Sequence, residues 1–178
     1  MSQQRSQDNR PVKTEKTAMT EIVEYRDEFR EQIIELILTI QNDEFNIGIT
    51  IDQQQDLLNI NDFYQSNLGN FWVAVVDEKA VGTIALLDIA NQQVALRKLF
   101  VEKNYRGKQF QAAALLLNTA LQWSETNDIK EIFLGTTSKY HAAHRFYEKN
   151  NFKEILKTEL PVNFPVMEVD TKFYNYKV

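Results

Sequence analysis

The order of patterns along the chain predicts an α+β (α/β/α-like) domain on a mixed, mostly antiparallel sheet of about seven strands. Three observations predict it. Three consecutive β-rich runs between Phe71 and Val101 are separated only by turn signals, at Asp77–Lys79 and Ala90–Gln92. Stretches of helical period separate the other strand-like runs, giving the order β-α-α-β-β-β-α-β-α-β-β. The chain has 178 residues, 43% hydrophobic and 25% charged, enough for one buried core under a solvated surface.

Residues 1–18 are polar and rich in Gln, Ser, Asn and Lys, so a disordered tail is expected ahead of a domain at 19–178. That start has no apolar core and does not read as a secretory signal. "TEIVEYR" (Thr20–Arg26) is a short strand. "DEFREQIIELILTIQNDEF" sets Phe29, Ile33, Ile37 and Ile40 on one helical face. "IDQQQDLLNINDFYQS" reads as a second helix with Asp52 as its cap. "FWVAVVDEKAVGTIALLDI" is a hairpin, and "QQVALRKLFV" the next strand. A helix from about Lys108 carries Ala113, Leu116, Leu117, Ala120 and Trp123 on one face. "IKEIFLGTT" is a buried strand, and "SKYHAAHRFYEKNN" a helix with Ala143, Phe146, Tyr147 and Asn150 on one side. "FKEILKTEL" and "PVMEVDTKFYNYKV" read as two closing strands around Pro161 and Pro165, with Phe164 and Met167 in core packing ahead of an acceptor pocket or an oligomer interface.

Composition narrows the chemistry. Cysteine is absent, which removes disulfides and thiolate metal sites. A net charge of −5 argues against nucleic-acid binding. No apolar run is long enough to span a bilayer, and a cytoplasmic location is expected. His141 and His144 share a helix face, but two imidazoles without a third ligand do not make a metal site, so no metal is expected.

Two stretches carry chemistry. "LFVEKNYRGKQFQAAALLL" (Leu99–Leu117) is a strand end, a basic loop with one glycine, and a helix start. Backbone N–H groups and the helix dipole converge there, a ready site for phosphate. Gly107 lets the backbone turn freely, and Arg106 and Lys108 add charge. Neither the nucleoside-triphosphate loop nor the dinucleotide fingerprint is present. In "AAHRFYEKNNF" (Ala142–Phe152), Phe146 reads as core, whereas the Tyr147 hydroxyl needs a polar partner or a pocket edge. Asn151 suits a left-handed turn after the helix.

With these motifs the chain resembles the GCN5-related N-acetyltransferases across Thr20–Val178. That family's loop reads Arg/Gln-x-x-Gly-x-Gly/Ala; Arg106 matches, while Gln109 and Gln111 occupy the small-residue positions. Its later helix reads Asn-x-x-Ala-x-x-x-Tyr and then Gly-Phe. Ala143, Tyr147 and Phe152 match, and Tyr140 and Asn151 depart.

The resemblance implies helices on both faces of the sheet and acetyl-CoA as cosubstrate, without a metal. It implies that the strand ending "KLFV" splays from "EIFLG" and pairs the pantetheine arm through Leu99, Phe100 and Val101. The pyrophosphate would lie on the N–H groups of Arg106, Gly107, Lys108, Gln109, Phe110, Gln111 and Ala112. Tyr147 corresponds to the family's general acid. Glu44 is the candidate base, against a plain solvated carboxylate. The acceptor implied is a small-molecule amine or a peptide; neither nucleic acid nor a membrane is implied, and a homodimer is compatible. Glu44, Asp52, Asp56 and Asp62 would suit an amine, as would an ordinary solvated surface. The alternative is a non-catalytic acyl-CoA-binding regulatory module, which Gln109 and Gln111 motivate and Tyr147 opposes.

Overall fold

The computed structural model describes residues 18–178, so the expected tail lies, Ala18 apart, outside the described residues. The strands are β1 (Glu21–Glu24), β2 (Asn70–Val76), β3 (Lys79–Asp88), β4 (Gln93–Val101), β5 (Glu131–Thr136), β6 (Lys153–Ile155) and β7 (Lys172–Lys177). The helices are α1 (Arg30–Leu38), α2 (Ile60–Tyr64), α3 (Ala112–Thr126) and α4 (His141–Lys149). The strands form one sheet in the order β1-β2-β3-β4-β5-β7-β6. Every pairing is antiparallel except β4 with β5.

Local chemistry sets these connections. Asp77 and Glu78 adopt φ of 47° and 65°, the doubly left-handed turn whose twist suits a two-residue hairpin. Side chains of β2 alternate between two cores. Trp72, Ala74 and Val76 face α3 and α4 with Leu116, Leu117 and Tyr147. Phe71 and Val73 face α1 and α2 with Ile33, Ile37 and Ile60. A third cluster, around Ala95, Phe133, Phe164 and Phe173, lies beneath the C-terminal loop.

Several expectations need correction, among them the strand read in "FKEILKTEL", which pairs only over Lys153–Ile155 and then forms a 3-10 turn at Lys157–Glu159. The segment from Asp52 is not one helix. It forms 3-10 turns at Ile51–Gln53 and Gln55–Leu58 before the short α2. Thr50, whose N–H meets Gln53 Oε1 at 2.9 Å, opens it instead of Asp52. These breaks turn Gln54 and Asp56 inward, which a continuous amphipathic helix would not do. The third helix starts at Ala112 rather than Lys108, because the loop closes around Gly107 at φ 98° first. The run from Phe164 to Thr171 is loop, and only Lys172–Lys177 pairs as β7. Phe146 is half-buried on a cleft wall, while Tyr147 is the more buried ring.

Candidate active site

The site grows from a fork in the sheet. β4 and β5 pair only at Gln93–Glu131, Val94–Ile132 and Ala95–Phe133. Beyond that they part, and a cleft of about 360 Å³ opens between them, within the size range of ligand pockets. The N–H of Glu102 donates to Val81 O at 2.8 Å. In an antiparallel ladder the neighbouring Val101 then turns its N–H and C=O away from β3, toward the fork. Arg106 Nε donates to that Val101 carbonyl at 2.7 Å.

A bulge shapes the other side of β4. Phe100 pairs with Thr83 but Arg97 with Ala85, so one extra residue is accommodated. Lys98 takes φ 56°, and its carbonyl accepts Thr83 Oγ1 at 2.6 Å. Val94, Leu96, Leu99 and Val101 all stay on the α3 face. Arg97 and Lys98, though adjacent, therefore share the opposite face.

Lys98 is 9% exposed. Its Nζ donates to Gln54 Oε1 at 2.6 Å and stands 3.3 Å from Asp56 Oδ2. Asp56 also accepts the Tyr64 hydroxyl, and Gln41 and Gln54 exchange two amide hydrogen bonds. Burial pulls the Lys98 ammonium down to about 8, with Asp56 opposing the shift and Arg97 adding to it.

The loop expected to hold an anion runs from Glu102 to Gln111. Gln109 and Gln111 are exposed and neither lines the cleft. Gln111 sits at φ 51°, the left-handed conformation that glycine takes without strain, and opens α3. Gln111 N–H donates to Gly107 O at 3.1 Å, and Thr20 Oγ1 to Phe110 O at 2.7 Å, closing the loop. Ala112 is buried beneath it.

Leu99, Phe100, Val101, Arg106 and Tyr147 line one cleft. Tyr147 is 6% exposed. No buried side-chain nitrogen or oxygen among the described residues lacks a partner. Tyr147 lines the cleft and makes no side-chain hydrogen bond among those residues. Burial pushes this phenol well above its ordinary value, with Tyr140 and Tyr174 reinforcing the shift. Tyr140, where the family pattern has Asn, is pushed up to about 12 by burial. Its ring packs edge-on against Phe45 at 4.8 Å. Asn151 takes φ 67°, the turn its position suggested.

Glu44 lies in a π-helical turn that ends α1, where Phe45 N–H reaches back to Ile40 O at 3.2 Å. Its carboxylate grips Arg106 through both guanidinium ends, one at 2.8 Å. His144 Nε2 meets Thr137 O at 2.9 Å, a structural contact, while His141 is exposed.

A family model described as "Acetyltransferase (GNAT) family" matches residues 34–152. The chain belongs to the GNAT family. Its sheet and helices superpose on a GNAT-family acetyltransferase from Staphylococcus aureus Mu50 with TM-score 0.86 and 40% identity, covering 89% of this chain and 98% of that one. The paia N-acetyltransferase of Thermoplasma acidophilum, solved in complex with coenzyme A, shares the fold at TM-score 0.69 and 22% identity, covering 89% of this chain and 99% of that one. N-acetylaspartate synthetase of Xenopus tropicalis is 37% identical over 102 residues, 56% of this chain and 37% of that protein. This GNAT chain thus spans little more than a third of that relative's length.

Sequence reasoning missed Arg97, Lys98, Gln54 and Asp170 as lining residues of the cleft. One signal was present. In "VALRKLFV" the apolar parity changes between Leu96 and Leu99, which is what an inserted residue does to a two-residue period. No helix among the described residues is long and apolar enough to cross a membrane.

Proposed function

We propose that this chain transfers an acetyl group from acetyl-CoA to a primary amine of a small molecule or peptide by direct attack, with Tyr147 as general acid. The observation that carries this reading is the fork. Outward backbone groups of β4, an N–H-rich helix start and a free phenol line one cleft or its rim. A pantetheine arm would pair with Leu99, Phe100 and Val101 as an added strand. Its pyrophosphate would accept N–H groups between Arg106 and Ala112. The cradle uses backbone atoms, so Gln109 and Gln111 leave it intact with their side chains in solvent.

The chemistry follows from these positions. The amine nitrogen bonds to the thioester carbonyl carbon, the carbon–sulfur bond breaks, and the departing thiolate takes the Tyr147 proton. A phenol held well above its ordinary pKa stays protonated until a stronger base forms beside it. Much of the remaining acceleration comes from holding the two reactants together in the fork. Glu44 acts as base in this reading only once Arg106 has released it, because a carboxylate gripped by a guanidinium is a poor proton acceptor.

Acetyl-CoA at about 100 times its dissociation constant should stabilise the fold by about 2.7 kcal/mol, seen as a raised melting temperature. A turnover screen against amines, polyamines, amino acids and peptides then finds the acceptor. No thermal shift and no turnover would overturn the reading.

A further inference from the structure

The acceptor half of the cleft holds two opposite charges that do not meet. Arg97 Nη2 donates to Met167 Sδ at 3.2 Å, and its guanidinium lies 5.8 Å from the Phe63 ring centroid and 5.9 Å from that of Tyr64. It forms no ion pair with a carboxylate among the described residues. Asp170 Oδ2 accepts the Met167 N–H at 2.8 Å. Met167 therefore stands between guanidinium and carboxylate, and both charged residues line the cleft.

Asp170 is seated against β5 where the fork has opened. A Cβ built on Gly135 would come 2.5 Å from Asp170 Oδ2, so only glycine leaves the carboxylate room there. Gly135 lies two residues past the last β4–β5 pair, Ala95–Phe133. Arg97 is brought to the same cleft by the bulge that gives it a common face with Lys98. Lys98 is neutralised by Asp56, which leaves Arg97 as the positive charge without a contacting anion on this wall. Opposite charges kept apart in a partly dry cleft complement a ligand carrying both, in the reverse order.

Resting on the acetyl-transfer reading above, we infer that the acceptor is a free α-amino acid, its carboxylate held by Arg97 and its ammonium by Asp170. Arg97 presents a planar fork of donors suited to a carboxylate. Burial raises the Asp170 carboxyl above its ordinary value, with Met167 N–H and Arg97 opposing. A carboxylate so placed takes the ammonium proton before the nitrogen attacks, in place of Glu44, which Arg106 holds. The nitrogen–carbon bond forms, the carbon–sulfur bond breaks, the thiolate takes the Tyr147 proton, the nitrogen's second proton passes to the Tyr147 oxygen, and Asp170 returns its own to water.

The test compares L-leucine, L-phenylalanine and L-aspartate, each beside its α-amide, in the wild type, Arg97→Met and Arg97→Lys. For at least one pair the acid should exceed its amide in kcat/KM on the order of 100-fold. Arg97→Met should bring that ratio near one by raising KM for the acid more than for the amide, and Arg97→Lys should recover part of it. Binding is read separately, as the rise in melting temperature of CoA-saturated protein on adding each acid or amide. A rise that needs both the carboxylate and Arg97 upholds the slot even without product, and then the acetyl-transfer reading alone fails. Transfer that treats acids and amides alike overturns the slot and leaves acetyl transfer standing. So does an equal loss for both in Arg97→Met.

Discussion

The two halves of the cleft are built from different parts of the chain. The half proposed for the acyl donor is backbone: the open edge of β4, the Gly107 turn and the first N–H groups of α3. The half proposed for the acceptor is side chain: Lys98 with Asp56, Gln54 with Gln41, and Met167 with both Arg97 and Asp170. The difference teaches what each half tolerates. Backbone donors survive replacement of their side chains, so the loop carries Gln109 and Gln111 where the family pattern has small residues. A buried ion pair survives no such change, because a lost partner strands a charge.

The largest effect expected is therefore on the acceptor side. Asp56→Ala leaves the Lys98 ammonium buried without its counter-charge and should cost about 3–5 kcal/mol in a urea titration. A loss below about 1 kcal/mol would put this pair in the same class as surface ion pairs and erase the contrast.

The same pair should show in pH dependence. Lys98 titrates near 8 in the folded chain against 10.5 for an unperturbed lysine. Between those values the unfolded chain holds more protons, so this group's contribution makes stability rise with pH. Its penalty is complete below pH 8 and is relieved above it. Lys98→Met should lack the rise between pH 8 and 10, read from melting temperatures of the two proteins side by side. Parallel curves would show that Lys98 is not a strained cation.

The smallest effects belong to the loop. Gln111→Gly relieves a left-handed residue and should stabilise the fold by about 0.5–1 kcal/mol. Gln109→Gly removes no such strain and should destabilise slightly, by about 0.5 kcal/mol or less, through chain entropy. Both should bind acetyl-CoA within a few-fold of the wild type. A large loss of binding in either would show that the glutamine side chains belong to the site.

The same division explains what was legible in the sequence. The strand and helix order came through because period and turn residues act locally: Asp77–Glu78 make the hairpin, and Ile33 and Ile37 make the face of α1. The strand–glycine–helix layout around Gly107 came through, as did the helix that carries Tyr147. The acceptor wall did not. Lys98 reaches Gln54 and Asp56 more than forty residues away, and only the fold brings them together. Asp56 read as an ordinary acidic residue, yet it is buried. Glu44 read as a free carboxylate, and its grip on Arg106 joins residues 62 positions apart. "PVMEVD" alternates like a strand but has no ladder partner, and its loop instead delivers Met167 and Asp170 to the cleft.

In the proposed reaction, donor binding rests on backbone while the chemistry rests on the Tyr147 hydroxyl. Tyr147→Phe tests both clauses in one preparation, by acetyl-CoA affinity and by the rate of CoA release with an accepted amine. The account predicts an affinity within about twofold of the wild type and a turnover lower by about 10²–10⁴-fold. Wild-type turnover in Tyr147→Phe would contradict it.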